Sequence, residues 1–102
     1  MNTIKIPKEL QLFGKTIKIR YDKELAYRNN NRGETHQRYN EIILQPNTEG
    51  IFKSQDNLMQ TFYHELIHCI LDAMQEDELS ENEKFIDIFA SLLHQALKTA
   101  KY

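Results

Sequence analysis

The chain has 102 residues, 40% hydrophobic and 27% charged, with a formal net charge of −2 and a single cysteine. That length predicts one domain, residues 1–102, with one modest core, and the near-balanced charge gives no reason to expect nucleic acid or an anionic membrane as partner. Cys69, with no second cysteine to pair with, excludes an internal disulfide and is expected to be a packed core thiol in a reducing compartment.

The N-terminal run Met1 to Pro7 holds no apolar stretch of signal-peptide length. No segment approaches the roughly 20 apolar residues of a membrane span. The expectation is a cytoplasmic protein. Up to about residue 46 the pattern has period two, as in half-buried strands. Thr3 to Ile6 alternates briefly, then Ile17, Ile19 and Tyr21 alternate with Lys18 and Arg20. Gly14 marks a hairpin turn between Leu12 and Ile17, and Asn29 to Gly33 reads as a polar turn. Tyr39 to Leu44 forms the next strand, ended by Pro46, either at a sheet edge or in its interior. Together these predict a small, mainly antiparallel sheet of three or four strands.

From Ser54 the period becomes helical. Ser54 is a candidate N-cap with Asp56 in the first turn. Met59, Phe62, Leu66, Ile70 and Met74, with Ile67 beside them, recur at three- and four-residue steps and predict a helix over about 54–75. Its polar edge carries Thr61, His64, Glu65, His68 and Asp72. Glu76 to Leu79 reads as a short acidic loop. A second helix follows over about 80–98, capped by Ser80, with Ile86, Phe89, Ala90, Leu93 and Leu97 as its buried stripe. The expected fold class is α+β, an N-terminal sheet packed by two C-terminal helices.

His64-Glu65-Leu66-Ile67-His68 lies in the first of these helices. Histidines four residues apart sit about 40° apart around a helix, so both imidazoles project from one face and can share one Zn²⁺. Glu65 then stands to the side of the metal, where a carboxylate can accept a proton from water. A catalytic zinc takes a third protein ligand, and the second helix offers Glu78, Glu81, Glu83 and Asp87. Glu83 is the choice, because its spacing to Ile86 and Ala90 puts it on the inward face near the helix start. Asp87, one turn on, can orient a ligand imidazole. Ser80-Glu81-Asn82-Glu83 also reads as a capping box, which would give Glu83 a different partner, the Ser80 amide. His94, about 16 Å along the axis from Glu83, is expected to be structural.

These two segments, with Asp72 four residues after His68 and Asn82-Glu83-Lys84-Phe85-Ile86-Asp87-Ile88-Phe89 in the second helix, resemble the gluzincin metallopeptidases. The second motif is similar to the N-E-x-x-x-D of thermolysin-like enzymes, Glu83 to Ala90 also fits the pattern of the ImmA/IrrE-type peptidases, and the size resembles the minigluzincins. The resemblance covers roughly residues 60 to 93. It implies His64, His68 and Glu83 as ligands of one Zn²⁺, Glu65 as general base, and Asn82 and Asp87 as partners of the two histidines. Only nine residues follow Leu93, so no counterpart is expected of the histidine that stabilises the transition state in thermolysin-like enzymes. His36, Tyr39, Tyr63 and Tyr102 are the candidates for that role.

The expected function is zinc-dependent hydrolysis of a peptide bond in a peptide or protein substrate. Two other classes compete with it. One is a regulatory or protein-binding module stabilised by zinc but weak or inactive as a catalyst, although Glu65 would have no use there. The other is a helical-hairpin interaction protein without metal.

Overall fold

The computed structural model describes residues 5–22, 33–36, 40–48, 51–52 and 54–102. Within them run β1 (Glu9–Leu12), β2 (Lys15–Tyr21), β3 (Gly33–His36), β4 (Glu41–Leu44), β5 (Asn47–Thr48), β6 (Ile51–Phe52), α1 (Gln55–Ala73), α2 (Asp77–Ser80) and α3 (Glu83–Thr99). β1 and β2 form a hairpin closed by Phe13 and Gly14, whose φ angles of 49° and 77° are both positive. A two-residue turn of this kind needs that geometry to match the strand twist, and glycine supplies it without a steric cost. Of the run Thr3 to Ile6, Thr3 and Ile4 lie outside the described residues, as does the polar turn up to Arg32, and Lys5 and Ile6 are outside any strand. Gly33, read as the end of that turn, instead opens β3.

The main sheet has the order β1-β2-β4-β3. β1 and β3 pair antiparallel with their neighbours, whereas β2 and β4 run parallel, with Ile19 opposite Ile42 and Tyr21 opposite Leu44. The α+β class is therefore observed, with a sheet that is mainly antiparallel but mixed at its centre. β4 is an interior strand. Ile42, Ile43 and Leu44 are all buried, a continuous apolar run that suits a strand covered on both faces. β2 keeps the alternation of a half-buried strand, Ile17 and Ile19 inward and Lys18 and Arg20 outward. At the exposed edge of that pair Arg20 Nε meets Glu41 Oε2 at 2.7 Å, worth little in water.

The helices cover the face that carries Ile17, Ile19, Ile42 and Leu44. α1 begins as expected, with the Asn57 N–H donating to the Ser54 hydroxyl at 3.1 Å. It ends where Gln75 takes a positive φ of 62°. There the Gln75 N–H reaches the Asp72 carbonyl and the Glu76 N–H reaches the Leu71 carbonyl, the paired bonds of a Schellman stop. The acidic segment read as a loop folds into the short helix α2. α3 then starts at Glu83 and not at Ser80, because the Asn82 side chain accepts the Phe85 N–H at 3.1 Å.

Burial corrects both apolar stripes. α1 touches the sheet on one side and α3 on another, so Tyr63, Glu65, Cys69 and Leu71 are buried along with Met59, Phe62 and Ile67, while Met74 is exposed. On α3, Ile86 and Ala90 are buried and Leu93 and Leu97 pack against the core, but Phe89 stays 46% exposed. Its ring leans on Phe85, one turn away, with centroids 5.7 Å apart. Ile86→Ala should therefore cost about 2–5 kcal/mol, the range for emptying a packed core site, and Phe89→Ala about 1 kcal/mol or less. Equal losses in denaturant titrations of the two variants would contradict this division of the helix.

Candidate metal centre

α1 and α3 meet along a polar row that repeats every four residues on α1. At its far end Asp56 Oδ1 lies 3.0 Å from Lys98 Nζ and 3.2 Å from His94 Nε2. Next, Gln60 bridges His94 Nδ1 at 3.0 Å and the Ser91 hydroxyl at 3.0 Å. Then come His64, facing Asp87 and Glu83, and His68, facing Glu83 and Ser80. A four-residue step is one helical turn plus 40°, so the row stays on the side of α1 that faces its neighbour.

The part of the row that could hold a metal ion is compact. His64 Nε2 lies 3.2 Å from Glu83 Oε2, and His68 Nε2 lies 3.3 Å from Glu83 Oε1. One donor atom from each of His64, His68 and Glu83 falls within 4.8 Å of the others. Donors bound tetrahedrally at roughly 2.0–2.1 Å stand about 3.3 Å apart, and each histidine lies at about that separation from one of the two Glu83 oxygens. The three residues together can hold a metal ion. The rings stand with centroids 5.0 Å apart and edge to face, which lets both Nε2 atoms converge without stacking.

Orientation comes from the other ring nitrogens. Asp87 Oδ1 approaches His64 Nδ1 at 2.8 Å. A carboxylate only accepts, so the Nδ1 proton stays there and the Nε2 lone pair is directed at the centre. His68 Nδ1 faces the Ser80 hydroxyl at 3.2 Å. Asn82, expected from the resemblance to orient a histidine, is instead occupied by the Phe85 amide as the cap of α3. The capping box is absent for the same reason: Glu83 faces the histidines while Asn82 caps the helix. Of the four carboxylates considered, Glu83 alone joins both histidines among the described residues, and Glu78 and Glu81 point to solvent.

The surroundings are asymmetric. Glu65 is 8% exposed, with Oε2 3.9 Å from His64 Nε2, whereas the Glu83 side chain is 64% exposed. The centre thus has a protein wall behind it and opens to solvent past Glu83. Tyr63 turns into the core, its ring 5.6 Å from Phe62 and 5.7 Å from His94, and burial pushes its phenol pKa up. Tyr102 is 94% exposed beyond the end of α3, about 24 Å along the axis from Glu83. Neither reaches the metal group. His36 closes β3 opposite Glu41, and Tyr39 lies outside the described residues. Sequence reasoning did not find Ser80 as a histidine partner. Its only local signal, a cap-type residue before Asn82, pointed to the helix start.

Comparison with protein-family models, curated proteins and solved structures finds no match to this chain. Among the described residues no helix is long and apolar enough to cross a membrane.

Two outcomes test the seam. Glu83→Gln should weaken the binding of Zn²⁺, used as probe, because a neutral amide replaces an anionic ligand, while Asn82→Ala should cost about 0.5–2 kcal/mol through the lost cap and bind the ion nearly as before. Chelator competition on both variants is the measurement, and wild-type affinity in Glu83→Gln would remove Glu83 from the centre. At the other end, the Lys98 hydrogen bond, opposed by a smaller desolvation and aided by the charges of Lys98 and His94, holds Asp56 below its ordinary value of 3.8. A lowered carboxylate pKa stabilises above the unfolded value and loses that contribution as pH falls through the folded one. Asp56→Asn should accordingly melt earlier than wild type at neutral pH and converge with it below pH 3.8; a gap that persists at low pH would contradict the ion pair.

Proposed function

We propose that the chain is a zinc-dependent peptidase of the gluzincin type, with His64, His68 and Glu83 as ligands and Glu65 as general base. The observation that carries this reading is the placement of Glu65, buried beside the donor group with its carboxylate 3.9 Å from His64 Nε2. A centre that served stability alone would have no use for a carboxylate there. When bound, zinc supplies Lewis-acid chemistry, polarising a carbonyl oxygen and lowering the pKa of water towards ~7.

The chain's own residues would do the rest. Asp87 holds the His64 ring with Nε2 facing the centre. Glu65 accepts the proton of the attacking water and then delivers it to the leaving amine, which needs the carboxylate within hydrogen-bond reach of both. The opening past exposed Glu83 gives the scissile bond a way in. A substrate in extended form could pair along β3, which has β4 on one side and lies against α1. β4 offers no such surface, since it lies between β2 and β3.

Tyr63 and Tyr102, standing away from the centre, favour a second reading, in which the metal stabilises a protein-binding module. One experiment separates the two. Glu65→Gln should retain about one zinc per chain while hydrolysis of a broad peptide library falls by at least ~10²-fold. Equal turnover by variant and wild type would exclude Glu65 as the base. Zinc-loaded wild type that cleaves nothing in the library would leave the binding-module reading in its place.

A further inference from the structure

We propose that Ser80 is a positioning residue for the metal centre, the hydroxyl that fixes the tautomer and rotation of the His68 ring. The proposal rests on the reading of His64, His68 and Glu83 as metal ligands. It does not depend on peptidase activity.

Ser80 is an exception within its segment. Asp77, Glu78 and Glu81 around it are exposed, whereas Ser80 is 8% exposed. A small polar side chain buried at the last position of a four-residue helix requires a partner, and that partner is His68 Nδ1 at 3.2 Å. The opposite ring nitrogen, Nε2, faces Glu83 at 3.3 Å. The imidazole is thereby addressed at both ends, by a hydroxyl behind and by the donor group in front. Coordination through Nε2 needs its lone pair, so a neutral ring carries its proton on Nδ1, and the Ser80 oxygen accepts it.

The local backbone explains how a serine twelve residues away arrives there. The Schellman stop at Gln75 reverses the chain, α2 turns once, and the Ser80 N–H bonds the Glu76 carbonyl at 3.0 Å. The Asn82 N–H then bonds the Leu79 carbonyl at 3.1 Å before α3 begins. α2 therefore acts as a spacer that presents Ser80 to His68 and hands the capping role to Asn82.

The two histidines consequently have partners of different charge. His64 is backed by the Asp87 carboxylate and His68 by a neutral hydroxyl. A carboxylate behind a ligand imidazole raises its basicity, and a hydroxyl does so less. With the carboxyl groups of Glu65, Glu83 and Asp87 already at the centre, the hydroxyl orients His68 without adding a fourth. Orientation is the role left to Ser80.

The test uses the full chain and Zn²⁺ alone as probe. Ser80→Ala should weaken zinc affinity about 10–100-fold, the usual effect of removing a partner behind a ligand histidine. Ser80→Thr, which keeps the hydroxyl, should recover most of it. The metal-free variant should melt somewhat below metal-free wild type through the lost hydrogen bond, whereas a merely structural serine would move that melt without moving the affinity. In zinc-loaded wild type, nitrogen NMR of the imidazoles should show His68 with its proton on Nδ1. That measurement needs no variant and stands even if Ser80→Ala fails to fold. Wild-type affinity in Ser80→Ala, or a His68 proton on Nε2 in the loaded protein, would overturn the proposal alone. Failure of wild type to bind zinc would overturn the metal centre and this proposal together, whereas absence of hydrolysis with zinc bound would count only against the peptidase.

Discussion

The seam between α1 and α3 is polar, and the Glu83 carboxylate lies at its critical point, one oxygen facing each of His64 and His68. Two helices of a small domain usually meet through apolar side chains, which need only shape to pack. A polar seam needs each donor matched to an acceptor at a set distance, because an unmatched group taken from water costs more than a mismatched methyl. That requirement fixes the rotation of α3 about its own axis. Turning it by one residue, about 100°, would separate Glu83 from the histidines, Asp87 from His64, Ser91 from Gln60 and His94 from Asp56 at once.

The apolar layer holds the two helices against the sheet but leaves that rotation less constrained. Ile86 and Ala90 face the core, whereas Ile88, Phe89 and Leu92 are exposed on the outer side of the same helix. Hydrophobicity alone would let α3 roll to bury those side chains. The polar contacts oppose such a roll, and a bound ion shared by the two helices would oppose it further. Stability and the geometry of the centre therefore depend on the same contacts. The fixed distance between the two ends of α3 also explains why His94 is structural: it anchors the end of the seam remote from Glu83, with Asp56 and Gln60 occupying both ring nitrogens.

Strand pairing sets the platform beneath this hairpin. β4, buried from Ile42 to Leu44 and flanked on both sides, is the strand that a helix pair can cover without exposing backbone. Its parallel pairing with β2 places Ile19 beside Ile42 on the face under the helices. Among the described residues β3 ends the strand order, and it lies against α1.

Much of this was legible in the chain itself, because the relevant signals are local. The period of four that brings His64 and His68 to one face, the Ser54 cap, the turn at Gly14 and the alternation of Ile17 and Ile19 each depend only on backbone geometry within a few residues. The choice of Glu83 from four carboxylates followed from its spacing to Ile86 and Ala90, again a matter of one helix. What the tertiary structure decided are the choices between side chains with equal local claims. Ser80 and Asn82 are both cap residues, and a helix start needs one; only the nearness of His68 assigns Ser80 to the ring and Asn82 to the cap. Phe89 and Leu93 have similar claims to the buried stripe of α3, and the polar contacts with α1 set which of them turns inward. Tyr63 sits next to His64 in the sequence yet faces the core, since neighbours on a helix point about 100° apart. The parallel pairing of β2 with β4 lay beyond local signals altogether, because it joins residues more than twenty positions apart and depends on which buried strand the helices cover.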